Sequence, residues 1–252
     1  LVDATGLALA GGAGVLGGMM NALAGGGTFA TMPALLGLGT PANIANATSN
    51  LGLMPGGATS AWSFRHELQP VGGVPVRVLA AITFVGGLLG SVLLVVTPGA
   101  AFDLIVPWLL LVAFVAIVFG ARAADWLATR VTIKPRTLMA VQAVLGTYGG
   151  YFGGGVGIMT TATYGLLAGT TPRAMFAPRT LMLTVANFAA AIVFVACGMI
   201  RWDACLPMLA GGVVGGWLGA IVGKRLPALV VRWWTILVTG ATTAVFFAHA
   251  YG

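Results

Sequence analysis

Gly25-Gly26-Gly27, an apolar run over residues 28–38, then Gly39-Thr40-Pro41: this arrangement comes twice in the chain. Its second occurrence is Gly153-Gly154-Gly155-Val156-Gly157, an apolar run over 158–168, then Gly169-Thr170-Thr171-Pro172. Each time a glycine cluster interrupts a long apolar stretch. Backbone that leaves the helix at membrane depth is tolerated only where it is buried in protein or lines a cavity. Interrupted apolar segments at matching places in two halves are a sequence pointer to a transporter's binding site.

Composition sets the solvent. Of 252 residues, 59% are hydrophobic and 7% charged, and the mean hydropathy is +1.01. A soluble domain carries about 25% charged residues, so most of this surface must face lipid. At roughly 20 residues per spanning helix there is room for about eight helical segments and none left for a soluble domain. The net charge of +7 does not point to nucleic acid, because the basic residues fall in short gaps between apolar runs, as the positive-inside rule expects. Cys197 and Cys205 are not a CxxC pair and read as small packing residues. No cleavable signal peptide is read at the start of the chain. No cofactor and no metal site is expected, and the chain reads as a transporter, not an enzyme.

The expected class is an all-α integral membrane protein of two pseudo-symmetric repeats with broken or re-entrant helices, 8–10 helical segments in all. Helical segments are read over 6–24, 28–38, 42–64, 74–96 and 104–121, then over 137–152, 158–168, 173–199, 204–222 and 229–249. The halves are assigned as 1–125 and 126–252, one transport domain overall. Gly25 to Gly27 aligns with Gly155 to Gly157, Thr40-Pro41 with Thr171-Pro172, and Gly86-Gly87-Leu88-Leu89-Gly90 with Gly215-Gly216-Trp217-Leu218-Gly219. The gap containing Arg122, Arg130, Lys134 and Arg136 is expected on the cytoplasmic side. If each glycine-broken unit enters and returns, each half crosses an odd number of times and the halves are inverted; Arg201 is then the one base outside. Residues 6–24 are nonetheless long enough to span alone.

Charge is most informative by its absence. The acidic residues, Asp3, Glu67, Asp103, Asp125 and Asp203, all fall in expected loops or at helix ends. Cation carriers and proton pumps generally place carboxylates inside the membrane, so an anion is the better substrate class. Arg179 lies two turns into an apolar segment. Its guanidinium matches a sulfonate, carboxylate or phosphate through paired hydrogen bonds, although an arginine near a helix end can also snorkel to the headgroups. Helices that start after a glycine cluster leave free N–H groups and a partial positive charge. Gly26, Gly27, Gly155 and Gly157 therefore mark candidate anion cradles, with Thr28, Thr160 and Thr161 as hydroxyl donors. The following segments add Asn46, Thr48, Ser49 and Asn50 in the first half, and Thr180 and Asn187 in the second. Thr48 aligns with Arg179 and Ser49 with Thr180. Ordinary interhelical hydrogen bonding, worth about 0.6 kcal/mol each, would also account for these side chains. His66 is the coupling candidate because histidine titrates near neutral pH, but beside Arg65 and Glu67 it also reads as a solvated loop residue.

A glycine-rich break, an apolar half-helix, a Gly-x-Pro turn and the stretch Ala47-Thr48-Ser49-Asn50-Leu51 resemble the sulfite exporter TauE/SafE family over nearly the whole chain. The resemblance implies a bacterial inner-membrane permease, multi-pass, that exports sulfite, sulfoacetate or related short organosulfonates by alternating access. Ala177-Pro178-Arg179-Thr180-Leu181 departs from the family's Gly-Thr-Ser-Leu-like run and sets a fixed positive charge beside the expected cavity. The expected partners are a small anionic substrate and the lipid bilayer, not nucleic acid; monomer and homodimer both stay open. Coupling stays open as well: a proton could travel on the substrate or on His66, or the protein could be a uniporter. An anion channel for small oxyanions or carboxylates is the alternative.

Overall fold

A computed structural model describes residues 3–128, 134–168, 172–223 and 228–251. Among these residues the chain forms ten α-helices: α1 Ala4–Leu23, α2 Thr28–Gly37, α3 Ala42–Ser63, α4 Val76–Val96 and α5 Gly99–Ala128, then α6 Pro135–Tyr151, α7 Val156–Ala168, α8 Pro172–Ala196, α9 Trp202–Gly223 and α10 Ala228–Tyr251. A 3₁₀ turn, Arg65–Glu67, follows α3. The expected all-α class is the observed one. Six helices are long and apolar enough to cross a membrane, in α1, α4, α5, α8, α9 and α10. Their outer faces carry exposed Leu16, Val85, Val96, Trp108, Phe119, Trp217 and Leu237. A surface this apolar requires lipid as its solvent.

Both expected interruptions are real. Gly25 has φ +83° and follows the last turn of α1; Gly153 has φ +72° and follows that of α6. Positive φ is the left-handed C-cap conformation that glycine adopts without a Cβ penalty. The expected start of α5 at residue 104 is five residues late, because the helix begins at Gly99 directly after Pro98. The Pro98 carbonyl accepts from the Phe102 N–H at 3.0 Å, so a proline that stops one helix opens the next.

Two glycine seams hold the bundle together. On α1, methyl groups placed on Gly14 and Gly18 would strike the backbone of Met208 and Gly212 on α9; on α9, those on Gly211 and Gly215 would strike Gly11 and Val15 of α1. The order of contacts makes α1 and α9 parallel. On α4, Gly86 and Gly90 stand in the same way against Ala143 and Thr147 of α6, and Gly150 against Gly87. Helices in lipid associate through small residues that let backbones approach. The aligned motifs at 86–90 and 215–219 thus do one job, joining α4 to α6 and α9 to α1.

The ends of the bundle differ. At one end Arg201 donates from Nη1 to the Leu38 carbonyl at 2.8 Å and to Thr40 Oγ1 at 2.7 Å. Asp203 pairs with Arg201 Nε at 3.2 Å. Arg65, Arg77, Lys134, Arg136 and Arg232 lie at the opposite end, where Phe64 meets Phe176 edge-on at 4.8 Å. A small core of Val71, Val74, Leu79, Leu138, Tyr164 and Met175 sits there. Because α1 runs parallel to α9 from the Arg201 end, and α2 leads back to Leu38 and Thr40, the first broken unit returns to the end it entered from.

Candidate functional site

The two breaks touch. A methyl placed on Gly25 would lie 2.6 Å from Gly157 Cα, and one on Gly157 would lie 2.7 Å from Gly25 Cα. Only glycine on both sides permits this approach. It brings the start of α2 beside the start of α7, so two partly positive helix ends share one region.

Buried polar side chains of α3 surround this crossing, each face serving a different neighbour. Asn46 and Asn50 stand one turn apart on one stripe. Asn46 Nδ2 donates to the Tyr151 carbonyl, the last of α6, at 3.0 Å. Asn50 Nδ2 donates to Asn187 Oδ1 on α8 at 3.3 Å, and the Cβ position of Gly153 is 3.1 Å from that nitrogen. Ser49 faces α2 instead and shares a 2.5 Å hydrogen bond with Thr31 Oγ1. Thr48 points a third way, its Oγ1 accepting from the Arg201 N–H at 3.0 Å, while its carbonyl lies 3.9 Å from Cys205 Sγ. Thr48 therefore braces the α8–α9 loop, and of the four expected polar residues of α3, Asn46 and Asn50 reach the second break.

Asn21 was invisible in the pattern of the sequence and belongs here. It lies in the last turn of α1 and its Oδ1 accepts from the Gly27 N–H at 3.2 Å. Asn21 Nδ2, Asn46 Oδ1, Asn50 Oδ1 and Thr160 Oγ1 are buried and have no hydrogen-bond partner among the described residues. An unsatisfied buried polar group costs about 1–3 kcal/mol. A fifth such atom, Thr239 Oγ1, lies on α10; the other four belong to α1, α3 and α7, the elements that flank or bond to the breaks.

Arg179 is 7% exposed. Its Nη2 donates to the Ala22 carbonyl at 3.3 Å, and its guanidinium carbon lies 4.5 Å from the Phe176 ring centroid. The Ala22 carbonyl belongs to the last turn of α1, the partly negative end of that helix, which favours a cation there. The Phe176 face adds a cation–π contact. Among the described residues no carboxylate pairs with Arg179. A buried guanidinium compensated by dipoles instead of a full charge keeps the capacity to attract an anion.

The remaining expected residues divide. Thr28 is buried at the start of α2, and Gly26, Gly27, Gly155 and Gly157 are buried in the breaks. The hydroxyls of Thr161 and Thr180 both donate to their own helix, to the Gly157 and Phe176 carbonyls at 2.8 Å, which leaves each an acceptor only. His66 is exposed in the 3₁₀ turn at the basic end. An open cleft of about 440 Å³ lies toward the Arg201 end, lined by Pro33, Leu36, Thr40, Pro41, Asp103 and Phe246. None of the residues expected to bind substrate lines it. No group of three or more His, Cys, Asp or Glu that could hold a metal forms among the described residues.

The family profile described as sulfite exporter TauE/SafE matches residues 10–246. The chain belongs to this family. Among its relatives, a probable membrane transporter protein of Haemophilus influenzae is 29% identical over 92% of this chain and 90% of its own length. One from Sinorhizobium sp is 32% identical over 82% of this chain and 78% of its own. The Escherichia coli K12 protein YfcA, described in the same words, is 29% identical over 84% and 77%. No solved structure matches the chain. This TauE/SafE member is therefore a multi-pass bacterial membrane transporter, consistent with its six apolar helices, and the polar crossing of its breaks is the candidate site.

Proposed function

We propose that this TauE/SafE protein is a secondary exporter of small sulfur-containing anions, sulfite or short organosulfonates such as sulfoacetate. It works by alternating access between inverted halves 1–125 and 126–252, rocking about the crossing of the breaks. The observation that carries the reading is the Gly25–Gly157 contact, which joins two helix N-termini in a region that also holds buried Arg179 and no paired carboxylate among the described residues. A preorganised positive pocket in lipid favours an anion and rejects a cation. Inversion is supported by the seams: α9 packs on α1 as α4 packs on α6, and the broken unit of each half lies against the other half's fourth helix. The basic end is then cytoplasmic and the Arg201 end external. Binding and export need no enzymatic step.

The substrate-contact set is Arg179, Thr28, Asn46, Asn50, Thr160 and Asn187 with the break glycines. Ser49 and Thr48 position α3 through Thr31 and Arg201, and Thr161 and Thr180 offer acceptors at its edge. His66 lies in a solvated turn, so the proton of a coupled cycle is better carried by the substrate.

Purified protein is screened by thermal shift against sulfite, sulfate, taurine, isethionate, sulfoacetate and thiosulfate. A ligand at a hundred times its Kd stabilises the fold by about 2.7 kcal/mol, so a binder gives a clear rise in Tm. No response to any member of this panel would overturn the reading. Flux from proteoliposomes that never saturates would favour a channel.

A further inference from the structure

We infer that the site takes the protonated form of its substrate, an oxyanion that carries a hydrogen-bond donor of its own, and so moves a proton with each anion. The inference rests on the proposed anion site and sharpens it. An anion cradle built only of donors would suit a bare dianion. The crossing of the breaks is not built that way.

Two amides there are locked by backbone groups whose roles chemistry fixes. The Tyr151 carbonyl can only accept, so the NH₂ of Asn46 must face it at 3.0 Å, and Asn46 Oδ1 is left as the open atom. The Gly27 N–H can only donate, so the oxygen of Asn21 must face it at 3.2 Å, and Asn21 Nδ2 is left open. Neither amide can flip without losing its bond to a break. Both open atoms are buried and meet no partner among the described residues. The first break therefore carries an oriented donor and the second an oriented acceptor, and on this proposal one ligand meets both. Thr160 Oγ1, also without a partner among those residues, can serve either way. The Asn50–Asn187 pair can exchange roles by turning both amides.

An oxygen that can only accept repels a ligand that can only accept. Hydrogensulfite offers anionic oxygens to Arg179 and Asn21 and one proton to Asn46; sulfite dianion and sulfate offer no proton. Export of hydrogensulfite carries that proton across without any carboxylate relay in the protein. Proton and anion leave together, and no bond within the protein is made or broken.

The test compares sulfite with methanesulfonate, whose charge is permanent and which has no donor at any pH. Affinities for the purified, detergent-solubilised chain are measured on both sides of sulfite's second ionisation. Among the described residues, the ionisable groups on elements near Asn21 and Asn46 include Asp3, Asp103, Arg136, Tyr148, Tyr151, Tyr164, Arg179, Arg201, Asp203 and Cys205, with Arg65, His66 and Glu67 in the 3₁₀ turn. The methanesulfonate series at the same pH values reports their titration. Sulfite affinity is expected to fall about tenfold per pH unit above that ionisation, as the competent fraction of ligand falls. Methanesulfonate is expected to bind at least tenfold more weakly than hydrogensulfite at low pH and to stay flat. Asn46→Ala should bring the two ligands to within about twofold at low pH. Asn21→Asp keeps an oxygen for Gly27 and replaces the open donor by an acceptor; it should lose at least tenfold for both ligands. Sulfite affinity that is flat or rises through the ionisation, or methanesulfonate bound as tightly as hydrogensulfite, overturns the inference and leaves an anion transporter standing. Absence of binding by every anion removes the function itself. The wild-type pH profile decides the matter even if a variant fails to fold.

Discussion

The two seams of this transporter are copies of one another, and its two breaks are not. At the seams, Gly86 and Gly90 on α4 and Gly215 and Gly219 on α9 meet the backbone of α6 and α1 in the same register. At the breaks, the glycines are again repeated, but the side chains that fix them differ. The first break is held by an asparagine oxygen accepting from Gly27, the second by an asparagine nitrogen donating to Tyr151. Packing in which backbone meets backbone tolerates only one solution, so both seams keep it. The symmetry is broken by side chains while the main chain stays paired, which is what the proposed recognition of an asymmetric ligand would require.

The comparison breaks most readily at the seams. Gly215→Val and Gly90→Val each drive a branched side chain into the backbone carbonyl of Val15 or Thr147. Backbone cannot yield as a rotamer can, so each should cost about 3 kcal/mol or more, above the usual cost of overpacking. The expected readout is loss of the monodisperse peak on size-exclusion chromatography in detergent. Gly12→Ala, on α1 with nothing within 4 Å of its Cβ position, should leave both peak and Tm in place. If the two valine variants behaved differently from each other, the seams would not be equivalent.

The two arginines sharpen the comparison next. Both donate to backbone carbonyls at the end of a helix, Arg179 to Ala22 and Arg201 to Leu38. Arg201 also has the Asp203 carboxylate; among the described residues Arg179 has none. Arg179→Ala should therefore weaken anion binding by about ten- to a hundredfold, or about 1.4–2.8 kcal/mol, as for hydrogen bonds to charged groups. Arg201→Ala should lower Tm and leave affinity within about twofold, because its charge is already matched. Titration calorimetry with sulfite and a melting curve on each variant separate the two outcomes.

Much of this was legible before any coordinates. Composition dictates lipid as solvent, and glycine clusters inside apolar runs mark the breaks. The candidate site was legible only in part. The run from Asn46 to Asn50 announces a polar helix, but which neighbour each face meets is not written in it, because successive residues of a helix point in different directions. Thr48 reads as a ligand in the sequence, and in the fold its Oγ1 accepts from the Arg201 amide. Asn21 was missed because a single amide in a glycine-rich helix makes no periodic pattern. The Tyr151 carbonyl that locks Asn46 has no sequence signature at all, since every residue carries one.

A second buried polar cluster supplies the smallest test. Tyr164 Oη donates to Gln142 Oε1 at 3.0 Å, Gln142 Nε2 donates to Thr83 Oγ1 at 2.7 Å, and Thr83 donates to the Leu79 carbonyl at 2.7 Å. It links α4, α6 and α7 much as the amides near the breaks link α1, α3 and α6. In this chain of bonds the amide oxygen and nitrogen of Gln142 each have a partner. The amides near the breaks leave Asn21 Nδ2 and Asn46 Oδ1 open. A closed network serves packing, and interhelical hydrogen bonds in lipid average about 0.6 kcal/mol. Gln142→Leu should accordingly lower stability by about 1 kcal/mol, since it also leaves the Tyr164 hydroxyl without its acceptor, and anion affinity should not change. A loss of affinity comparable to that of Arg179→Ala, at unchanged Tm, would mean that the polar machinery extends along α7 toward the basic end, and that openness of a buried group is a poor guide to where this protein meets its ligand.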